Sequence, residues 1–293
     1  MEIQQLRYAV AVIETGSFTA AARRCFVAQP SLSQSIRNLE RELGVDLFER
    51  IGRGFVVTAA GEAFADAART ALRAVENVRI EVDAVTGVIA GHLDLVALPT
   101  LAVEPVTPLV GAFRSAHPSV IVRLAHPDGT ADLVRAVQTG QSEVGITVSP
   151  IVDVGLTAHP LGRQEIVAVL PPGSPGPARR GRMNAAALAR LPLVTNPVGT
   201  STRTLLDAVF SDSGAIAQIA VETDQREAII PLVLAGAGAA LLPRAMAVTA
   251  RAQGAEVVAL EPRVWRELVL IHRSSALSPA ARAFVDLAVG AGR

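Results

Sequence analysis

Over the first ninety positions, apolar residues recur at helical spacing and break at points that mark turns. Ile3, Leu6, Val10 and Ile13 stand three and four apart and predict an amphipathic helix over about residues 2–14. Gly16-Ser17 opens a second, shorter helix, with Ser17 as N-cap and Phe18, Ala21, Ala22 and Cys25 as its apolar or small stripe. A third begins with Pro30, a residue favoured in the first helical turn, and directs Leu32, Ile36, Leu39 and Leu43 inward. Gln29, Pro30, Ser31, Ser33, Gln34, Arg37 and Arg41 fall largely outside that stripe. Small residues let the two helices cross closely, and the polar ones suit phosphates and base edges, as a DNA-reading helix-turn-helix requires. Residues 48–57 then read as two short strands around a glycine-containing tip. Such a β-wing would lay Arg50 or Arg53 against the DNA backbone or into the minor groove.

A different period follows. Phe64, Ala68, Ala71, Val75, Val78, Val82, Val85 and Ile89 alternate spacings of four and three, the heptad seam of a two-helix coiled coil. One amphipathic helix packed on its own domain is the alternative. The strict spacing and a charged outer face that includes Glu62, Asp66, Arg69 and Arg73 favour self-association. A helix over about 59–86 would be roughly 40 Å long at ~1.5 Å per residue. Gly87 and Gly91 then loosen the chain into a hinge.

From His92 the pattern alternates strand and helix: strands at 92–98, 120–125 and 143–148, helices at about 104–116 and 131–139. Continuous β-branched runs between helices imply a parallel sheet covered on both faces. A second unit starts near Gln164, with helices near 201–211 and 225–235. Between them Pro171 to Arg182, rich in Pro, Gly and Arg, reads as an exposed loop.

The run from Leu6-Arg7-Tyr8 through Gly16-Ser17-Phe18-Thr19-Ala20-Ala21-Ala22 and Gln29-Pro30-Ser31-Leu32-Ser33, then Leu39-Glu40, Leu43 to Arg50 and Val57-Thr58-Ala59-Ala60-Gly61, resembles the LysR-type transcriptional regulators. The match holds one register over about sixty residues. Cys25 stands where that family more often has leucine. The resemblance implies an N-terminal all-α winged helix-turn-helix (1–58) that meets promoter DNA through Gln29, Pro30, Ser33, Gln34 and Arg37. It implies a linker helix and hinge (59–89) that pairs subunits into a homodimer or homotetramer. It also implies a two-lobed α/β regulatory domain (90–293) built like periplasmic binding proteins. Lobe I would hold 92–162 and, on the chain's return, 267–293; lobe II would hold 163–266. A small-molecule inducer would bind between the lobes.

Ligands of open α/β sheets sit beyond the carboxyl ends of the strands, where helix N-termini point. Those ends carry Thr100 and Leu101, Thr130 as an N-cap, Ser149, Asn196 and Thr202. Hydroxyls and free N–H groups favour a small anion, often a carboxylate. Each Thr or Ser could equally do no more than cap its own helix.

Composition excludes more than it adds. The 27 basic residues, all arginine, balance 27 acidic ones, so no global basic field marks a nucleic-acid binder. Residues 1–58 hold seven arginines against six acids, and electrostatic attraction must therefore be local. One cysteine cannot form an internal disulfide, no export signal is read at the N-terminus, and the longest apolar stretches fall short of a membrane span. These features lead to the expectation of a soluble cytoplasmic protein. By resemblance, peroxide sensing would need two cysteines in the regulatory lobes, where this chain has none.

Gly236-Ala237-Gly238-Ala239-Ala240-Leu241 mimics a dinucleotide loop, but it follows a helix and Leu241 takes the third glycine position. It reads as a turn into a strand. The five histidines are scattered, with no metal-ligand spacing to one another or to the cysteine, and suggest structural roles. No cofactor or metal is expected. A solute-binding protein and an α/β enzyme are the rivals. The first is opposed by residues 1–58, the second by the lack of a nucleophile elbow, phosphate loop or metal cluster.

Overall fold

The computed structural model describes the chain except residues 53, 85–88, 128, 152–154, 175–181, 212–213, 275–276 and 292–293, and except the side chains at 76, 77 and 79–84. Arg53, Val85, Gly87 and the side chain of Val82 thus lie outside the described residues.

Three helices begin the chain: α1 (Ile3–Thr15), α2 (Phe18–Arg24) and α3 (Gln29–Leu43). Helix α1 has two working faces. Tyr8, Ala9 and Val12 pack with Ala21, Ala22, Leu32, Ile36 and Leu39, whereas Leu6 and Val10 turn to the later linker helix. Ser17 caps α2 by accepting from the Ala20 N–H. Gly16 and Gly44 end α1 and α3 with φ of 62° and 72°, left-handed caps that favour glycine. Two expected core positions fail at helix ends: Ile3 and Leu43 are exposed, each lying past the reach of the neighbouring helices. Cys25 is the C-cap of α2 and only half-buried.

The wing is β1 (Phe48–Ile51) paired antiparallel with β2 (Gly54–Val57). It is fixed to the helices by an edge-to-face cluster in which Phe18, Phe48 and Phe55 centroids stand 5.0–5.4 Å apart. Glu40 of α3 accepts from the Leu47 and Phe48 N–H groups at 2.9 and 3.2 Å. The long helix α4 (Ala59–Ala84) leaves the wing at Thr58, whose hydroxyl donates to the Asp46 carbonyl and accepts from the Gly61 N–H. A Cβ on Gly61 would collide with the Leu47 carbonyl oxygen and stand 2.7 Å from Val57 Cγ1. Gly61→Ala should therefore lift α4 off the wing and destabilise the N-terminal domain by about 1–3 kcal/mol, the usual range for overpacking. Urea unfolding followed by Trp-independent circular dichroism would measure it, and an unchanged midpoint would contradict the tight packing.

The first turns of α4 are covered by the chain itself. Phe64, Ala68 and Leu72 pack on Leu6 and Val10. This corrects the expectation that the seam from Phe64 onward faces a partner. Ala71, Val75 and Val78 remain exposed, Val75 at 41% and Val78 at 65%. On another side of α4, Arg73 reaches Asp94 at 3.8 Å and ties the helix to the regulatory domain.

Lobe I begins with β3 (Gly91–Ala97), a 3-10 turn at Pro99–Leu101 and α5 (Thr107–Ala116), then β4 (Val120–Ala125), α6 (Thr130–Gln138) and β5 (Val144–Val148). The expected helix from Glu104 starts later because Glu104 has extended backbone that breaks the helical path. Strand β6 (Leu156–Leu170) crosses into lobe II, which continues with β7 (Arg182–Met183), α7 (Ala185–Leu188), β8 (Pro192–Thr195), α8 (Ser201–Ser211), β9 (Gln218–Glu222), α9 (Ile229–Leu234), β10 (Ala240–Pro243) and α10 (Arg244–Ala252). Strand β11 (Glu256–Arg273) returns, and α11 (Pro279–Ala291) closes on lobe I.

Strands β4, β3 and β5 are parallel, as the pattern predicts, but β11 joins β5 antiparallel, so the sheet is mixed. The two crossings are one antiparallel ladder of β6 with β11 that runs through both lobes. Along it the apolar cover changes: Leu161 and Leu268 belong to the core with Phe113 and Phe284, Ile166 and Val264 to the core with Leu206 and Phe210. Between them stand Gly162 with φ of 100° and the polar stretch Arg163-Gln164-Glu165, and the ladder shifts register on either side, at Leu268/Val269 and Ala259/Val264. Arg182, expected in a loop, pairs with Ala259 in β7. Gly236 to Ala239 forms the turn into β10, and a Cβ on Gly238 would stand 2.5 Å from the Pro192 carbonyl oxygen.

Candidate functional site

The polar face of α3 and the wing enclose a trough of about 450 Å³, lined among others by Ser17, Gln29, Ser33, Arg37, Arg50 and Phe55. Pro30, Ser31 and Gln34 lie on the other flank of α3, in a recess shared with Glu2, Gln5 and Asn38. The expected DNA-facing residues thus divide between two sides of one helix, both open to solvent. They are held in a lattice of neighbours at helical spacing. Gln29 donates to Ser33 Oγ at 2.8 Å, Arg37 to Gln34 Oε1 at 2.7 Å, and Gln34 to Asn38 Oδ1 at 3.0 Å. Arg41 donates to Asn38 as well. Among the described residues neither Arg37 nor Arg50 has an ion pair. Their charges are available to phosphate. The carboxylate nearest Arg37 in sequence, Glu40, is occupied by the wing amides. Two contributors escaped the sequence reading. Thr19 lines the trough, and Phe26, 95% exposed with φ of 56°, projects from the turn between α2 and α3.

The second site lies where the lobes meet. A Cβ on Gly129, which caps α6, would stand 2.6 Å from the Gly199 carbonyl oxygen before α8. Gly129 has φ of −143°, which any residue adopts, so space and not conformation selects glycine there. Two helix starts, one per lobe, therefore touch backbone to backbone. Deeper in, the crossover ladder reaches the end of β3. Gln164 donates to the Thr100 and Glu104 carbonyls at 3.4 and 3.2 Å. Arg266, opposite Gln164 in the ladder, donates through Nη2 to Thr100 Oγ1 at 3.1 Å and Gln164 Oε1 at 2.5 Å.

Over residues 3–62 the chain matches the family model described as bacterial regulatory helix-turn-helix protein, lysR family. Over 86–293 it matches the LysR substrate binding domain. The HTH-type transcriptional regulator IlvR of Caulobacter vibrioides is 32% identical, with 98% of this chain and 97% of that one covered. The regulator TfdS of Cupriavidus pinatubonensis is 30% identical over 98% of each. The chain belongs to the LysR family of transcriptional regulators. The structure of full-length CbnR complexed with target DNA superposes with a TM-score of 0.71 at 25% identity, covering 99% of this chain and 100% of that one. A full-length OxyR variant from Pseudomonas aeruginosa shares the fold with a TM-score of 0.78 at 24% identity, covering 100% and 95%.

Within this LysR-family architecture the expected cleft residues fare unequally. Thr100 is buried against Arg266, and Thr130 and Thr202 stand beside the touching turns at Gly129 and Gly199. Leu101 is not a lining residue: it is fully buried in the lobe I core. Ser149 is exposed, and its N–H donates to the Glu267 carbonyl. Asn196 is buried and donates to the Thr223 carbonyl at 2.7 Å. The N-cap of α6 is Gly129, with Thr130 the first helical residue. Thr200 does cap α8, accepting from the Arg203 N–H. The missed residues are Gln164 and Arg266. Burial alone pulls the Arg266 guanidinium down to about 10, with no nearby charge contributing.

The histidines also depart from expectation. His159 and His272, far apart in sequence, stack with Nε2 atoms 3.1 Å apart. His272 Nδ1 donates to the Arg273 carbonyl at 2.7 Å, so in the neutral pair its Nε2 accepts from His159. Burial, then the His272 neighbour, lower the His159 pKa, with Asp286 opposing. The folded state therefore disfavours the proton that the unfolded chain takes up near 6.5. Stability contributed by His159 should be complete above that value and decline as pH falls through it towards the folded pKa. Thermal melts of wild type and His159→Gln from pH 8 to 5 test this, and parallel pH profiles would contradict it.

Proposed function

We propose that the trough between α3 and the wing reads promoter DNA and that the cleft between the lobes takes a small effector that adjusts this binding. The observation that carries the reading is the joint placement of Gln29, Ser33, Arg37 and Arg50, with two unpaired arginines, on one concave face. Neutral overall charge requires such local focusing, and doubling by a second subunit supplies the rest. The division proposed is a DNA-binding domain at 1–58, a linker at 59–89 and a regulatory domain at 90–293. Ala71, Val75 and Val78 form the pairing face for a second copy. The chain acts by binding and not by catalysis, without a cofactor, in the bacterial cytoplasm. Among the described residues no helix is long and apolar enough to cross a membrane.

A relative from Mycobacterium leprae, 30% identical over 84% of this chain, is named as a probable hydrogen peroxide-inducible genes activator. Here the one cysteine, Cys25, lies between α2 and α3, so a disulfide within the regulatory lobes is not the trigger. The experiment is selection of duplexes from a random library by the purified protein. Recovered sequences should carry two related half-sites in inverted orientation, as a two-fold dimer imposes. Failure to enrich any sequence at low salt would refute the assignment.

A further inference from the structure

Arg266 is 9% exposed and forms no ion pair among the described residues. Its two acceptors, Thr100 Oγ1 and Gln164 Oε1, are both neutral and both on Nη2. Nε and Nη1 are buried without a partner among the described residues. Of the five N–H donors a guanidinium carries, those on Nε and Nη1 point at no protein acceptor. Buried charge without a counter-charge is strongly unfavourable, and proteins ordinarily place a carboxylate beside it. Glu165, one residue from Gln164, does not serve: it pairs with Arg244 at 2.5 Å and lies 3.8 Å from Arg263. The position is not incidental. Arg266 sits on the ladder that joins the lobes, against Thr100 in the turn at the carboxyl end of β3.

We propose that Arg266 is the specificity-determining residue of the cleft, the fixed cation that selects an effector bearing a carboxylate. The inference rests on the reading of the cleft as the effector site and adds the chemical class and the residue. Nε and Nη1 are covered as the lobes stand, so the carboxylate reaches them when the lobes part and is enclosed when they meet again. With the lobes together, the guanidinium has no counter-charge among the described residues. A bound carboxylate compensates it, and binding thereby shifts the equilibrium towards closure.

The test uses the full-length protein, Arg266→Met and Arg266→Lys, with acetate, isobutyrate, benzoate and succinate as probes and their amides as uncharged controls. Without ligand, Arg266→Met should melt no lower than wild type, because a similar-sized apolar chain replaces an uncompensated charge. Carboxylates should raise the wild-type melting temperature and the amides should not. Affinity for the best carboxylate should fall about ten- to hundredfold in Arg266→Met, the range for a lost charged hydrogen bond, and recover in part in Arg266→Lys. Three results overturn the proposal: a marked loss of ligand-free stability in Arg266→Met, which would make Arg266 a structural clamp; equal carboxylate responses in wild type and Arg266→Met; or no wild-type response to any carboxylate. A neutral compound that stabilises wild type and Arg266→Met alike and alters DNA binding would sink the charge assignment while leaving the effector reading intact.

Discussion

An aspartate at Val75 or Val78 is expected to split the protein into monomers and abolish operator binding. Both valines lie on α4 beyond the point where α1 stops covering it, and both face solvent in the single chain. Ala71, Val75 and Val78 keep the spacing of four and three that places them on one stripe. In a paired helix each introduced carboxylate would enter an apolar contact with no cation to meet it, and symmetry would bring a second copy nearby. An effect of about 3 kcal/mol weakens association more than a hundredfold, at ~1.4 kcal/mol per tenfold. Sedimentation velocity should show the smaller species, with circular dichroism unchanged because both valines are exposed to solvent in the single chain. A variant that keeps its oligomeric state would mean that subunits pair through another surface.

The same helix shows how far sequence carries. The heptad period correctly marks an apolar stripe on α4, but a spacing names no partner. Phe64 and Ala68 satisfy it against Leu6 and Val10 of their own chain, whereas Val75 and Val78 do not. The two helices and the polar face of α3 are legible because their signal is local: a cap at Ser17, a proline at the start of α3 and a polar face complementary to Leu32, Ile36 and Leu39. Strand ends and helix starts are legible, and they bring Thr100 to the end of β3 and Thr130 to the start of α6, but a residue next to a strand end can equally point into the core, as Leu101 does.

What was missed is non-local. The crossings looked like two boundaries, at 162/163 and 266/267, because each lobe was read as a separate unit. They are instead interior to β6 and β11, two strands whose pairing is set across about a hundred residues. Gln164 and Arg266 stand at those boundaries, and alternation within a strand does not reveal that a polar side is buried. The His159–His272 contact arises from the same ladder. Glu40 is a converse case: it lies in a matched motif, and its part is to hold the wing amides rather than to meet DNA.

Gln34→Ala and Arg37→Ala should weaken DNA binding in different ways, and the contrast is the second large effect. Gln34 is exposed on the α3 flank away from the wing, its amide oriented by Arg37 and Asn38. An amide on a recognition helix can satisfy adenine bidentately in the major groove, which a charge cannot imitate. Its loss should cost about 1–3 kcal/mol at the cognate base pair and leave that position tolerant of other bases. Arg37 lines both flanks of the helix and has no carboxylate partner among the described residues. Its charge acts on phosphate, so Arg37→Ala should lower affinity for specific and unrelated duplexes alike. The slope of log K against log salt should also fall by about one for each contact removed per subunit. Truncating Arg37 also frees Gln34 from its 2.7 Å bond, so some loss of base preference should accompany the loss of charge. The double variant is then expected to lose less than the sum of the two. Titrations at several salt concentrations on operator and mismatched duplexes separate the terms. Equal salt slopes for wild type and Arg37→Ala, together with unchanged base preference in Gln34→Ala, would move the reading face off α3 altogether.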